Sequence, residues 1–415
     1  MDGASILETA ETRIRRHRTG KARLQFVTRG GIALAHFEGR VRLASHEFRL
    51  GANAYRLRAI KDKALQRAYE ERFREFLNYA TLPFYWGGYE KRPGKTEVKR
   101  LEAMARWCKR RGITTKGHPL VWHEVFPEWA KEISDGEVLA RLRERVEAIV
   151  SHFAGLIDIW DVVNEATVAQ QFDNAVGRWM SGGAETRVNE ALLWAHSAAP
   201  GAALLYNDFN ISPDFEGVVA GLQKSGAPLA AVGIQSHMHK EHWPLEKAWQ
   251  VCETYGQFGL SLHFTEVTVL SGRFKAPDDN DWHRVRTDWP TTAEDEAAQL
   301  EYGRKFYTLL FSHPAVEAVT WWDLSDDGAW QGAPAGLVRK DMTPKPLYEW
   351  LMSAFGQGGV WSTDERIVTD STGCADVSCF FGTYKVTGKA ASGERLRGNF
   401  TLRRGGPREV EIEIE

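Results

Sequence analysis

The chain has 415 residues, 43% of them hydrophobic and 26% charged, which is ordinary for a globular protein of one large domain or two. A formal net charge of −2 argues against a nucleic-acid-binding protein, because such proteins normally carry a strongly basic face. The sequence has no stretch of about 18 apolar residues, so we expect no membrane-spanning helix and no membrane partner.

The N-terminus and the cysteines bear on the cellular compartment. The N-terminus lacks the apolar segment of a secretory signal, which predicts a cytoplasmic protein, or a secreted or periplasmic one whose leader has been removed. The four cysteines are too few for a disulfide framework. Cys374 and Cys379 lie close enough in sequence to pair, and the sequence leaves that pairing open.

The first predicted element is an N-terminal helix that begins with a capping box of Ser5 and Glu8. It carries the basic run "RIRRHR" at 13–18, which we interpret as a solvated helix face. Residues 22–50 follow with the alternating pattern of β-strands around a polar turn.

Between residues 48 and 355 the sequence switches eight times from a short apolar run to an amphipathic helical pattern. The predicted strands are 48–53, 81–86, 114–122, 156–165, 203–210, 229–238, 260–269 and 317–326. The clearest predicted helices are 96–112, 135–155, 293–314 and 344–355. Eight even units predict an α/β fold, a (β/α)₈ TIM barrel. An open doubly wound sheet is the alternative, but no glycine-rich dinucleotide turn supports it.

The C-terminal residues 366–415 again alternate as strands. Neither terminal segment alone has enough strands for a stable sheet. We therefore predict that they pair with each other as one small discontinuous β-sandwich; the alternative is that each packs on the barrel as hairpins. The predicted division is 1–50 and 361–415 for the sandwich and 51–360 for the catalytic barrel.

Polar and aromatic side chains gather at the predicted strand ends, which is where barrel enzymes carry their catalytic residues. Core-facing strand ends are rarely so polar, and this indicates a shared site. The residues concerned include His118, Trp122, Asn164, Glu165, Asn207, Gln235, His237, Glu266 and Trp322.

Glu165 and Glu266 each end an apolar strand, in the fourth and seventh units, which lie on opposite sides of a barrel mouth. Two carboxylates across a tryptophan-lined cleft are what glycoside hydrolysis needs, one protonated and one ionised. We expect burial against Trp160 or Trp322 to raise one pKa, and hydrogen bonds from His237 to keep the other carboxylate charged. The alternative from spacing alone is that each glutamate sits in a structural ion pair.

Six motifs in order resemble the strand-end motifs of glycoside hydrolase family 10, the retaining endo-β-1,4-xylanases. They are "GHPLVWH", "WDVVNEA", "YNDFN", "GIQSHMH", "LHFTEVTV" and "TWWDLSDDGAW". The resemblance implies Glu165 as general acid/base and Glu266 as nucleophile. It implies that Asn164 contacts the sugar 2-hydroxyl, that His237 orients the nucleophile, and that His118, Trp122 and Gln235 line the −1 subsite. Trp322 and Trp330 look like aromatic walls over that sugar, and we place Asn207 among the substrate-binding residues.

One region departs from the family pattern. After the second strand the family usually carries an acid–Asn pair and a Lys–Trp pair that bind the −2 and −1 sugars. Here the stretch reads "ATLPFYWGGYE", with Gly87 at the lysine position and Phe84, Tyr85 and Trp86 in the region. A decorated chain or a different β-glycoside is therefore the alternative substrate. The long loop 270–290 is expected to wall off part of the cleft.

Two other functions are consistent with parts of the pattern. His237, His239 and His242, with His118 and His123, suggest a metallohydrolase, although the paired glutamates among aromatic residues fit sugar chemistry better. A non-catalytic carbohydrate-binding protein is the alternative from a different class. We expect no cofactor, no metal, a xylan or xylo-oligosaccharide substrate and a monomer.

Overall fold

The computed structural model describes residues 2–389 and 395–414. Its strands, in chain order, are β1 (Thr19–Thr28), β2 (Glu38–His46), β3 (Arg49–Asn53), β4 (Tyr79–Pro83), β5 (Thr114–His118), β6 (Ile159–Asn164), β7 (Ala203–Asp208), β8 (Ala231–Met238), β9 (Ser261–Val269), β10 (Val316–Trp321), β11 (Asp364–Val368), β12 (Cys374–Phe380), β13 (Gly382–Lys389), β14 (Arg395–Leu402) and β15 (Glu409–Ile414).

The α-helices, in the same order, are α1 (Gly3–Glu8), α2 (Ala10–Arg18), α3 (Lys63–Arg74), α4 (Trp86–Tyr89), α5 (Val98–Lys109), α6 (Asp135–His152), α7 (Ala175–Ser181), α8 (Ala184–Ala198), α9 (Pro213–Lys224), α10 (Leu245–Gly256), α11 (Ala293–Ser312) and α12 (Pro346–Phe355).

Eight parallel strands close into a barrel in the order β10-β3-β4-β5-β6-β7-β8-β9, so the predicted TIM barrel is confirmed. All six residues of β6 are buried, which explains why its sequence is nearly continuous in apolar residues. Between the strands, amphipathic helices bury one stripe. In α6, for example, Ser134 caps the N-terminus while Val138, Leu142 and Val146 face the barrel side.

The two terminal segments pair with each other, as predicted. In the three-stranded sheet β12-β1-β15, β1 is antiparallel to β12 and parallel to β15. In the four-stranded sheet β11-β2-β13-β14, every neighbouring pair is antiparallel. Each sheet thus contains strands from both ends of the chain, which rules out separate hairpins.

Aromatic side chains join the terminal strands to the barrel. The ring of Phe311, at the end of α11, lies 6.4 Å from Phe380 of β12, 4.9 Å from Phe48 and 4.9 Å from Phe355 of α12. Because such contacts bury large apolar rings, they hold the terminal sheets against the helices α11 and α12.

Two predictions about the N-terminal helix are wrong. Asp2, rather than Ser5, caps α1, because the backbone N–H of Ser5 itself donates to Asp2 Oδ1 over 2.8 Å. The basic run is also only partly solvated: Arg18 is 7% exposed and donates to the carbonyl oxygens of Phe311, His313 and Val316, each over 2.7 Å. The guanidinium thereby satisfies carbonyl groups at the C-terminal end of α11.

The four cysteines are free thiols, so Cys374 and Cys379 do not form a disulfide in this structure. None of the helices in the described part of the chain is long and apolar enough to cross a membrane.

Candidate active site

Glu165 follows β6 directly and adopts a left-handed backbone conformation, with φ 58° and ψ 42°. A non-glycine residue in this region is strained, and such strain tends to occur at functional sites. The backbone N–H of Glu165 donates to the carbonyl oxygen of Asn207 over 2.8 Å, which fixes the turn against the end of β7.

A chain of hydrogen bonds connects the Glu165 and Glu266 side chains. Asn164 Nδ2 donates to Glu165 Oε1 over 3.0 Å, and Asn207 Nδ2 donates to Asn164 Oδ1 over 2.7 Å. Asn207 Nδ2 also lies 2.8 Å from Glu266 Oε1, while Thr265 Oγ1 donates to Asn207 Oδ1 over 2.6 Å. The structure therefore brings together the two carboxylates predicted to meet across the mouth.

Glu165 is 9% exposed. Its carboxyl group accepts hydrogen bonds from two further donors. Trp122 Nε1 donates to Oε2 over 3.1 Å and Gln235 Nε2 donates to Oε1 over 2.8 Å. Burial raises the pKa of Glu165 to about 8, and the hydrogen bond from Gln235 only partly offsets that effect. Glu165 is therefore protonated at neutral pH.

Glu266 has the opposite character. Burial favours its neutral form, but electrostatic interaction with His118 and a hydrogen bond from His237 together lower the pKa of Glu266 below its usual value. His237 Nε2 donates to Glu266 Oε2 over 3.1 Å, and Thr268 Oγ1 lies 2.8 Å from His237 Nδ1. Because the ionised carboxylate can only accept, His237 carries a proton on Nε2, and Nδ1 of the neutral ring accepts from the threonine hydroxyl.

A buried ion pair lies below this site, inside the barrel. Lys116 Nζ is 2.6 Å from Asp161 Oδ2, and both side chains are fully buried. His118 Nδ1 donates to the same oxygen over 2.7 Å, which leaves His118 Nε2 pointing at Glu266 Oε1 over 3.8 Å. Burial favours neutral Asp161, yet Lys116 and His118 hold the pKa of this carboxyl group below its usual value.

Aromatic rings enclose the space beside Glu266. Trp322 lies 5.5 Å from His118 and 5.7 Å from His237, and the 36%-exposed Trp330 lies 4.7 Å from His237. Of the two tryptophans expected to bury a carboxylate, Trp160 instead packs on Phe84, 5.0 Å away. Trp322 and Trp330, which are predicted to form aromatic walls over the sugar, therefore lie next to the His237–Glu266 pair.

The region after β4 places only one of its three aromatic residues in the site. Phe84 is buried in the core and Trp86 packs on Phe126 and Trp129. Tyr85 instead stands 5.4 Å from His118, and its hydroxyl lies 3.1 Å from the hydroxyl of Tyr55, the residue that follows β3 by two positions.

Gly87 is required by packing, because a Cβ added there would lie 2.7 Å from the carbonyl oxygen of Val125. The sequence patterns did not identify Tyr55, Lys116 or Thr268 as site residues. Lys116 and Thr268 are each two residues from a predicted site residue on the same strand. Because alternate side chains of a strand face the same side, both could have been predicted to face the site. Tyr55 lies in a loop and carried no such signal.

The chain matches known proteins in sequence and in fold. Residues 46–354, more than half of the chain, match the family model of glycosyl hydrolase family 10. The chain belongs to glycosyl hydrolase family 10.

Two named relatives of this family 10 member are xylanases. Endo-1,4-beta-xylanase B of Thermotoga neapolitana is 28% identical over 261 residues, covering 60% of this chain and 71% of that protein. Beta-1,4-xylanase of Dictyoglomus thermophilum is 28% identical over 260 residues, covering 59% of this chain and 70% of the relative. Such similarity supports a glycoside hydrolase.

Solved structures share the fold. Xylanase 10B of Thermotoga petrophila, in complex with xylobiose, superposes with a TM-score of 0.61 at 24% identity, covering 73% of this chain and 92% of the other. A family 10 endoxylanase from a sugarcane soil metagenome superposes with a TM-score of 0.63 at 21% identity, covering 73% and 96%.

The loop 270–290 of this glycoside hydrolase lies over one side of the mouth. Trp282 stacks on Trp330 at 6.0 Å, and Lys275 Nζ lies 3.8 Å from the Trp282 ring. Farther along, His283 Nδ1 approaches Glu124 Oε1 to 3.6 Å, in the loop after β5. The loop therefore reaches from the end of β9 to the opposite edge of the mouth.

The histidines considered as metal ligands have other contacts. His237 holds Glu266, His242 stacks on Tyr302 at 4.0 Å, and His123 packs on Phe172 at 4.2 Å. Within residues 2–389 and 395–414, no group of three or more His, Cys, Asp or Glu side chains is arranged to hold a metal ion.

Proposed function

We propose that this family 10 glycoside hydrolase cleaves β-1,4-xylosidic bonds in xylan or xylo-oligosaccharides by double displacement, with retention of the anomeric configuration. The observation that carries the proposal is the pair Glu165 and Glu266, connected through Asn164 and Asn207, with pKa values shifted in opposite directions. One protonated and one ionised carboxyl group are the two catalysts that the reaction needs.

In the first step Glu266 attacks the anomeric carbon and the bond from that carbon to the leaving oxygen breaks. Glu165 transfers its proton to the leaving oxygen, so the aglycone departs as a neutral alcohol. The product of this step is a covalent glycosyl ester of Glu266, with Glu165 now ionised. Hydrogen bonds from His237 and Asn207 hold the attacking carboxylate in place.

In the second step Glu165 accepts a proton from water, whose oxygen attacks the anomeric carbon. The ester bond to Glu266 breaks, which regenerates both starting protonation states. We expect the two carboxyl groups to be about 5–5.5 Å apart, as retention requires. Trp122 and Gln235, which donate to Glu165, stabilise its charged form between the two steps.

The sugar-binding roles remain proposals from the family resemblance. We propose that Asn164 meets the sugar 2-hydroxyl, that His118, Trp122 and Gln235 line the −1 subsite, and that Trp322 and Trp330 form its walls. The predicted contact between Asn207 and substrate stays a prediction. Its side chain is fully buried and bonds to Asn164 and Glu266, which favours positioning of the nucleophile.

A second candidate is a decorated or non-xylan β-glycoside. The favouring observation is Tyr85, which lies in the stretch after β4 where the family usually carries polar sugar contacts and whose hydroxyl is 3.1 Å from that of Tyr55. A tyrosine hydroxyl there offers fewer hydrogen bonds than the carboxylate, amide and ammonium groups that the family usually carries in this stretch. Long unsubstituted chains would therefore gain less binding energy on this side.

The test is a screen of aryl β-glycosides and decorated xylo-oligosaccharides, with product identification. We expect aryl β-xyloside turnover that falls by at least about 10²-fold in both Glu165→Gln and Glu266→Gln, because each removes a catalytic carboxyl group. Glu128→Gln, at an exposed glutamate paired with Lys131, is the matched control and should keep wild-type activity. Binding of glycans without turnover of any substrate would instead support the non-catalytic alternative.

A further inference from the structure

The outer face of the sheet β11-β2-β13-β14 is strongly basic. Along β2 and β13 the residues alternate, so that Val41, Leu43, Tyr384 and Val386 are buried between the sheets. The alternate positions of the four strands point to the other face and carry seven cationic side chains and two carboxylates. These are Arg40, Arg42, Arg366, Lys385, Lys389, Arg395 and Arg397, with Glu38 and Asp364.

Strand register aligns these side chains in rows across the sheet. Arg366 pairs with Arg40, Arg40 with Thr387, and Thr387 with Arg397, which makes one row of three arginines and a hydroxyl. The next row begins with Asp364 beside Arg42 and continues through Lys385. Because neighbouring strands lie about 4.8 Å apart, a row of four spans about 14 Å.

Few of these cations are neutralised. Arg40 Nε and Arg42 Nε lie 2.5 Å and 3.3 Å from the two oxygens of Asp364. Among the described side chains, no carboxylate lies within ion-pair distance of Arg366, Lys385 or Arg397. The chain as a whole has a net charge of −2, so this positive excess is local to the face.

Two neighbouring cavities lie along this face, and together they form what we call the basic groove. A cavity of about 540 Å³ lies along β2, β11, β13 and β14 and is lined by Arg40, Arg366 and Arg397. A second cavity of about 690 Å³ begins at Arg42 and Lys385 and reaches the start of β3 and β5. Its walls carry Arg74, Arg111 and Arg403 together with the carboxylates of Glu47 and Glu75. It meets the N-terminal ends of the barrel strands, opposite to the mouth that holds Glu165 and Glu266.

We propose that this basic groove binds a polysaccharide that carries carboxylate groups, such as a uronate-substituted glycan. The inference rests on the proposed function, because a glycan partner follows from a glycoside hydrolase. Guanidinium groups bind carboxylates through charge-assisted hydrogen bonds, and Arg40 and Arg42 each donate one such bond from Nε to the carboxylate of Asp364. None of the described residues that line the first cavity is aromatic, so recognition is ionic rather than by ring stacking.

The groove and the catalytic mouth lie at opposite ends of the barrel, so the bound stretch of polymer is not the stretch being cleaved. Binding there tethers the enzyme to a charged polymer and raises the effective concentration of its other segments at the mouth. Turnover of a small soluble substrate gains nothing from this tether.

The test is affinity electrophoresis of the full chain carrying Glu266→Gln, which prevents hydrolysis, in gels containing glucuronoxylan. The same polymer with its carboxyl groups reduced to alcohols is the ligand control. The groove variant adds Arg366→Gln, Lys385→Gln and Arg397→Gln, three exposed side chains. A charge-matched control adds Lys63→Gln, Arg67→Gln and Lys224→Gln on exposed positions of α3 and α9.

We expect retardation by glucuronoxylan that the groove variant weakens by about tenfold or more, since charge-assisted hydrogen bonds are lost, while the control variant is unaffected. Retardation should fall with the reduced polymer to what the catalytic mouth alone contributes, equally in both variants, and the groove's share should weaken at high salt. Equal retardation of both variants, equal binding of the reduced polymer, or tighter binding to duplex DNA or anionic vesicles would overturn the inference.

Aryl β-xyloside turnover, measured on the same substitutions with Glu266 intact, keeps the two proposals distinguishable. Normal turnover with no retardation refutes the groove and leaves the proposed function standing. If the enzyme without any substitution turns over no glycoside while retardation is intact, the proposed function alone is refuted.

Discussion

Glu165 and Glu266 are the same amino acid in two different surroundings. Glu165 is buried with neutral donors, Trp122 and Gln235, whereas Glu266 lies between two imidazoles, those of His118 and His237. Neutral donors only partly offset burial, but nearby histidines favour a negative charge. The neighbouring side chains therefore determine which glutamate is the acid and which is the nucleophile.

The pKa shifts predict the pH dependence of activity. Glu165 must be protonated for the first step, and its pKa of about 8 means that kcat/KM declines as the pH rises through that value. Glu266 must be ionised, and its lowered pKa places the acidic decline below the usual range of a glutamic acid. A kcat/KM profile with an aryl β-xyloside should therefore be broad, with its alkaline limb near pH 8.

Gln235→Leu tests the cause of the alkaline limb. The hydrogen bond from Gln235 favours ionised Glu165, so its loss should move the limb to higher pH. Gln170→Leu, at an exposed amide away from both glutamates, should leave the profile unchanged. A limb that stays in place in Gln235→Leu would assign the alkaline titration to another group.

The sequence predicted the two glutamates because each ends an apolar strand. It did not predict Tyr55, whose position depends on a loop and on contact with Tyr85 and Trp322. It also gave no partner for Asp161, since Lys116 and Asp161 meet only when β5 and β6 lie side by side. Pairwise contacts inside the barrel follow from closure rather than from local pattern.

Individual strands were located correctly but several were predicted too long. The prediction 114–122 includes Leu120 and Val121, which are buried and apolar, whereas β5 ends at His118. Pro119 has no N–H for the ladder and ends the strand. Loop residues that line the mouth are as apolar as strand residues, so composition alone could not separate them.

The segment after β4 is expected to limit the use of long chains. Because Tyr85 lies in the stretch where the family usually carries polar sugar contacts, wild-type kcat/KM on long unsubstituted xylan should be low relative to an aryl β-xyloside. Tyr85→Ala should change that ratio by opening the wall, whereas Tyr85→Phe, which keeps the ring, should leave it closer to wild type. Robust cleavage of plain xylan by the wild-type enzyme would show that the missing contacts do not matter.

At the scale of the whole molecule, the terminal sheets and the barrel form one packed unit. Counting eight units predicted closure, and the shortage of strands at each end predicted their pairing. The parallel register of β1 with β15 was not predictable, because nothing local distinguishes it from an antiparallel pair. The burial of Arg18 was equally hidden within a run of exposed arginines.

Arg18 links the two parts of the molecule and supplies a stability prediction. Arg18→Met removes the donors of three buried carbonyl oxygens, those of Phe311 and His313 at the end of α11 and of Val316 at the start of β10. This should lower the free energy of unfolding by about 3 kcal/mol or more. Arg15→Gln, in the same run, removes an exposed pair with Glu11 and a cation–π contact with Phe380 but leaves no buried carbonyl oxygen without its donor, so it should cost much less. Urea unfolding of the two variants makes the comparison, and equal stabilities would contradict the role given to Arg18.

The double-displacement mechanism makes one direct prediction about the product. In ¹H NMR of a reaction followed from its start, the first new anomeric signal should belong to the β-anomer, with the α-anomer appearing only later through mutarotation. This outcome is expected because two inversions at the anomeric carbon, first by Glu266 and then by water activated by Glu165, restore the original configuration. An initial α-anomer would contradict the mechanism.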